Sequence, residues 1–201
     1  MNYISDILYW ISTGLLVPVI VLLIILFIRS LLRIGGFFGQ YVAIRKTEAL
    51  LKQEFARLTP DTVGGLGERL PERAGTLVIG YIRRMLETGK SQAHRQRLLA
   101  DYEIMADKDL AISKTLSKMG PMLGLMGTLI PMGPALVGLS TGDISSMAYN
   151  MQVAFATTVV GMVIAAIGMI TLQIRQRWYA REMNDLEYLY KVISRQTAEK
   201  E

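Results

Sequence analysis

Three threonines stand in otherwise apolar surroundings. Thr128 lies within GPMLGLMGTLIPMGPALVGL, and Thr157 and Thr158 lie within NMQVAFATTVVGMVIAAIGMIT. A threonine hydroxyl donates to a carboxylate and accepts from water, so hydroxyls on adjacent helices can hydrate a narrow path. The alternative is a bond back to a carbonyl one turn earlier. The same stretches hold Gly120/Gly124 and Gly161/Ala165 at the spacing that lets helix backbones approach closely, with Gly127 between them. Helix packing alone explains such small residues, and their density argues for several close contacts, some of them between subunits. The complementary feature is an absence. No Asp, Glu, His, Lys or Arg occurs within residues 7–28, 119–140 or 149–174. A proton relay across a bilayer normally needs a titratable group near its middle. Either this chain conducts nothing, or another chain brings the carboxylate.

Other chemistries are excluded more simply. There is no cysteine, which removes disulfides, thiolate metal sites and cysteine nucleophiles. The single histidine, His94, sits in the basic stretch SQAHRQRLL and reads as solvated; no multi-histidine metal site is available. Asp101, Glu103, Asp107 and Asp109 form an acidic stretch interleaved only with Lys108. With no serine or histidine arrangement beside them, they read as a solvated face or as partners for Arg175, Arg177 or Arg181 of a neighbouring subunit. No enzyme, cofactor or metal centre is expected. The net charge of +5 reads as a topology signal rather than a nucleic-acid footprint.

The elements that must position these residues are membrane helices. The chain has 201 residues, 51% of them hydrophobic and only 19% charged, with a mean hydropathy of +0.33. The apolar residues are concentrated in three runs: Ile7–Ile28, Met119–Ser140 and Tyr149–Ile174. Each supplies the roughly 20 helical residues that a bilayer core of about 30 Å requires. Pro18, Pro131 and Pro134 are tolerable there, because neighbouring helices can satisfy the freed carbonyls. Every Lys and Arg lies in 29–118 or after Gln173. By the positive-inside rule the N-terminus and the Ser140–Ala148 turn are outside, and the remaining parts are cytoplasmic.

The expected organisation is therefore an outside segment and first transmembrane helix (1–28), a cytoplasmic helical domain (29–118), a pore-forming hairpin (119–174) and a cytoplasmic C-terminal helix (175–201). Within 29–118, the apolar spacing predicts helices over Gln40–Leu58, ended by Thr59-Pro60-Asp61, and over Glu72–Glu87, stopped by Gly89. Between them TPDTVGGLGERLPE reads as a loop. A third helix from Ser91 to Lys118 leads without a breaker into the second span. After the third span an amphipathic helix buries Trp178, Leu186, Leu189, Tyr190 and Ile193, with Arg181/Asp185 and Glu187/Lys191 as exposed pairs. Arg175, Arg177 and Arg181 are expected at anionic headgroups. The fold class is an all-α membrane protein, three transmembrane helices with long cytoplasmic helical extensions.

Two motifs carry a resemblance. GPMLGLMGT looks like the "PLLGLLGT" signature of the MotA/TolQ/ExbB proton-channel family, and AFATTVVGMVIAAIG looks like the signature of that family's last span. The three spans, short outer loop and cytoplasmic domain resemble the ExbB/TolQ type. The resemblance implies a homopentamer in a prokaryotic inner membrane, surrounding the transmembrane helices of an ExbD/TolR-like single-span partner whose aspartate carries the proton. Ion flow would drive mechanical work on the cell envelope. It implies Thr128 and Thr158 as the ion-pathway threonines, with Thr157 beside them, and Gly124, Gly127, Pro131, Gly161 and Ala165 as packing positions of the pore helices. Val153 stands where ExbB and TolQ usually carry a glutamate, which leaves proton and sodium both open. Pro131 would free the carbonyl of Gly127 near Thr128, as a further ion acceptor or simply a kink. The alternative function is a non-conducting helical scaffold for other membrane proteins.

Overall fold

A computed structural model describes residues 2–58, 62–71, 77–87 and 91–198. Among these residues are six α-helices: α1 (Asn2–Gly14), α2 (Leu16–Ala56), α3 (Leu66–Arg69), α4 (Leu77–Glu87), α5 (Gln92–Thr141) and α6 (Ile144–Ala198). A 3₁₀ turn, Val63–Gly65, precedes α3, and no strand occurs among the described residues. Three helical stretches are long and apolar enough to cross a membrane: Ile7–Ala56, Gln92–Thr141 and Ile144–Gln196.

Several boundaries differ from expectation. The first span is broken at Leu15, between α1 and α2. Pro18 has no N–H for the Gly14 carbonyl, and its ring crowds that carbonyl. Helical bonding resumes at once, with Val19 N donating to Leu15 O at 3.1 Å. The helix expected to begin near Gln40 is instead the continuation of α2, which passes through Gly35, Gly36 and Gly39. The expected loop contains the 3₁₀ turn and α3, because Val63, Leu66 and Leu70 are buried there. The expected ends at Thr59-Pro60-Asp61, Glu72 and Gly89 lie outside the described residues.

The chain forms two compact units. The first comprises Met1–Gly35 and Ala111–Leu172; the second comprises Gly36–Leu110 and Gln173–Glu201. In the first, Val19, Leu23 and Leu26 of α2 form a core with Leu116, Leu123 and Ile164, with Phe27, Ile130 and Val160 packed against it. Most other large apolar side chains here are exposed, as a lipid solvent allows; Leu129 is 64% and Met162 62% exposed. In the second unit the core is built from all its helices. Leu51, Leu58, Leu66, Ile79, Ile82, Met85, Leu98, Tyr102, Leu186 and Leu189 are its centre. Trp178 is buried at its edge and stacks on Phe37, with ring centroids 5.3 Å apart.

The α5–α6 hairpin as candidate functional site

The hairpin carrying the three threonines is closed by two residues, Gly142 and Asp143. Gly142 has φ +77°, the left-handed region open to glycine. Its N–H reaches Leu139 O at 3.3 Å, and that of Asp143 reaches Gly138 O at 2.8 Å. This double bond pattern caps α5. Asp143 then starts α6, its Oδ1 accepting from Ser146 N at 3.0 Å. These two residues thus stop one helix and begin the next.

Below the turn the two helices run antiparallel in backbone contact. A Cβ added at Gly120 would lie 2.7 Å from Gly161 O and 2.9 Å from Ala165 N. One added at Gly161 would lie 2.6 Å from Gly120 O, and one at Gly168 2.5 Å from Ser117 N. One added at Gly124 would lie 3.4 Å from Gly161 Cα, an ordinary contact. Gly127 meets Thr157, whose Oγ1 would be 2.5 Å from an added Cβ. Each step of three or four residues back along α5 therefore meets a step of three or four residues forward along α6. At the end of this seam Thr171 Oγ1 and Ser113 Oγ are 3.3 Å apart, both side chains buried. The Ser113–Thr171 pair was not singled out from sequence, although Ser113 is seven residues from Gly120 and Thr171 three from Gly168, beside the same faces.

This register sorts the threonines. Thr157 is 8% exposed, with its hydroxyl donating to Val153 O at 3.0 Å and Ala154 O at 2.9 Å. It fills the space above Gly127 in the seam. The expectation grouped it with Thr128 and Thr158; the structure separates it from them. Those two are half-buried and lie one residue beyond the Gly127–Thr157 contact on each helix. One residue is about 100° of rotation. Since the helices are antiparallel, both rotations lead to the same side of the hairpin. Leu123, Ile130, Val160 and Ile164, against which the first span packs, lie on the opposite side. Thr128 donates to Leu125 O at 2.7 Å and Thr158 to Ala154 O at 3.0 Å, leaving each oxygen able to accept. Pro131 is fully buried within unbroken α5, and Pro121 and Pro134 are also inside that helix. Gly124, Gly161 and Ala165 all lie in or beside the seam.

The second unit holds buried polar groups that sequence reading placed elsewhere. Arg175 was expected at lipid headgroups, but it is 4% exposed and bonds Asp109 of its own chain. Tyr179 donates to the same carboxylate at 2.8 Å. The acid partner was on the right stretch of sequence but in the same subunit. Arg181 reaches Glu48 of α2 rather than forming the expected pair with Asp185. Tyr102 donates to Glu182 Oε2 inside the core. Burial raises the Glu182 carboxyl to about 6, against a smaller opposing effect of the Tyr102 hydrogen bond; Asp185 and Glu48 raise it further. Burial also raises the Tyr102 and Tyr179 phenols well above their ordinary range. No group of three or more metal-ligating side chains occurs among the described residues.

A sided threonine pair on a glycine-seamed hairpin, reached by charged helices, is the geometry behind the two motifs. The model of the MotA/TolQ/ExbB proton channel family matches residues 79–188, more than half of the chain, including all of α5 and α6 as far as residue 188. The chain belongs to that family. No curated protein and no solved structure matches it. Family membership makes it a multi-pass membrane protein of the proton-channel class, acting in membrane complexes with partners.

Proposed function

We propose that this family member is the channel-forming subunit of an ion-driven motor. It assembles as a homo-oligomer, a pentamer by family resemblance, around the transmembrane helices of an ExbD/TolR-like partner. It lies in the inner membrane with its N-terminus outside and its C-terminus in the cytoplasm. The observation that carries this reading is the placement of Thr128 and Thr158 on one side of a hairpin whose membrane stretches hold no ionisable residue. Such a wall is apolar with two hydroxyl handles at one level. A partner's aspartate facing it is desolvated and favours its neutral form, while facing water it favours the ion. Alternation between the two states is what couples transfer to motion. Each monovalent ion releases about 2.3 kcal/mol per 100 mV, so a few transits suffice for a mechanical step. Thr157 serves packing in this scheme, and Gly124, Gly127, Gly161, Ala165 and Pro131 hold the two helices together.

The test is partner-dependent ion flux in co-expressed complexes. Thr128→Val and Thr158→Val each lower it about tenfold or more, since each removes a hydrogen-bonding group from a charged or hydrated path. Thr157→Val leaves it within about twofold, because valine fills the same space and the lost hydroxyl served only its own helix. Retention of full flux in both Thr128→Val and Thr158→Val contradicts the assignment. A complex that forms with the partner but never conducts favours the scaffold function instead.

A further inference from the structure

Glu182 is a buried acid that the ion path does not use. From α5 it receives the Tyr102 hydroxyl, and the Tyr102 ring meets the Tyr81 ring of α4 edge-on at 5.1 Å. From α2 it faces Glu48, and on its own helix Asp185 and Tyr179 lie within electrostatic reach. Two arginines of α6 are nearby, and each is engaged by another acid: Arg181 by Glu48 and Arg175 by Asp109. Glu48, Glu182 and Asp185 thus share the one guanidinium of Arg181, with Lys52 further out on α2. A single hydrogen bond from a phenol does not replace the water that a carboxylate loses on burial. The Glu182 carboxyl accordingly stands at about 6, and Asp185 is raised too, by burial and then by Glu48.

The structure also holds a route for water to this acid. Glu182, Asp185, Glu48, Arg181 and Trp178 line a cavity of about 20 Å³, room for a single water. Glu48, Arg181 and Asp185 also line a cleft of about 550 Å³ between α2 and α6, which exposed Lys52, Ala180 and Asn184 open to solvent. These three shared side chains are the wall between the inner cavity and the cleft. The ion pair within that wall holds only weakly, because the Arg181 side chain is 63% exposed and water screens it.

We propose that Glu182 and the Glu48–Arg181 pair form a proton-operated latch between α2 and α6. With Glu182 neutral, Glu48 stays on Arg181 and α2 is held against α6. With Glu182 ionised, three carboxylates face one guanidinium. Glu48 is then repelled by Glu182 and Asp185, α2 draws back at this level, and water from the cleft reaches Glu182 and carries its proton to and from solvent. Closure buries the carboxyl and so favours its neutral form; by linkage, protonation favours closure. On the topology proposed above the latch reads cytoplasmic pH and tightens this unit as the cytoplasm acidifies. Its working needs neither ion flux nor a partner.

Trp178 is a built-in reporter, since it lines the inner cavity and Trp10 is the only other tryptophan. In purified full-length Trp10→Phe protein in micelles, Trp178 emission moves to the red as pH rises, with a midpoint near 6. Glu182→Gln removes this transition. Tyr102→Phe moves the midpoint up, because the lost hydroxyl favoured the ion, and Glu48→Gln moves it down. The chain has no cysteine, so nitroxides attached at Lys52→Cys and Asn184→Cys report the width of the cleft. Labelled chain is diluted with unlabelled chain, so that only the pair within one copy is read. The distance lengthens between about pH 5 and about pH 7, one unit either side of the midpoint, and keeps its shorter value in Glu182→Gln. A transition near pH 6 that survives Glu182→Gln, or a cleft of equal width at both pH values, overturns the latch. Either result leaves the channel reading in place, because that reading is tested by flux with the partner.

Discussion

Two glycines that look alike in sequence should respond oppositely to alanine. Gly124 and Gly161 both belong to small-residue pairs spaced four apart. At Gly161 an added Cβ would lie 2.6 Å from Gly120 O, 2.8 Å from Gly124 Cα and 3.1 Å from Gly124 N. All three are backbone atoms of the facing helix, so no rotamer change relieves the clash, and α5 and α6 must part by close to 1 Å. Overpacking of this kind costs about 1–3 kcal/mol. Alanine's better helix propensity returns up to about 1 kcal/mol, leaving a net loss of roughly 1–2 kcal/mol. At Gly124 the nearest atoms are Gly161 Cα at 3.4 Å and Thr157 O at 3.5 Å, which a methyl group meets without displacement. Only the propensity gain remains, so Gly124→Ala should be between neutral and about 1 kcal/mol more stable. Denaturation of the purified protein in mixed micelles, followed by far-ultraviolet circular dichroism, measures both. Equal destabilisation by the two substitutions, or no effect of Gly161→Ala, would refute the seam as the place where these helices touch.

Other consequences follow from the same contacts. The Glu182 carboxyl is raised to about 6 in the folded protein, against an ordinary 4.5. Between these values the folded state holds more protons than the unfolded one, so stability falls as pH rises through the window and is level above it. The full penalty is about 2 kcal/mol, and Glu182→Gln should remove that part of the slope between pH 4.5 and 6 and raise stability at pH 7; the raised Asp185 carboxyl keeps its own smaller share. Asp109→Ala leaves Arg175 buried without its carboxylate and should cost about 3 kcal/mol or more in the same denaturation assay. Gly142→Ala forces an L side chain to φ +77° and should cost about 1–2 kcal/mol, whereas Asp143→Ala loses only a helix cap, about 1 kcal/mol.

The spans were legible because lipid imposes length and composition directly, and no soluble core asks for runs such as LLVPVIVLLIILFI. The small residues were legible as packing positions for a similar reason. Which of them are intolerant was not, since that depends on register; Gly120 and Gly124 differ only in what α6 presents to each. The same limit applies to Thr157 and Thr158. Neighbours in sequence diverge by about 100° on a helix, and only the Gly127 contact decides which of them enters the seam. Arg175 misled because a cation at the end of an apolar run normally meets headgroups. Its partner, Asp109, lies 66 residues earlier and is brought beside it only by the hairpin. The continuity of α2 through Gly35, Gly36 and Gly39 runs against local propensity, which weighs little beside a helix anchored by Leu23 and Leu26 at one part and Leu51 at another.

The central claim is that this chain supplies the wall of an ion path and takes its acid from a partner. Proton flux into proteoliposomes, measured with a pH-sensitive dye under an imposed potential, tests this most directly. The account predicts no flux from the chain alone and flux when the single-span partner is included, lost when the partner's aspartate is changed to asparagine. Specific conduction by the chain alone, at the rate of the complex, would contradict it.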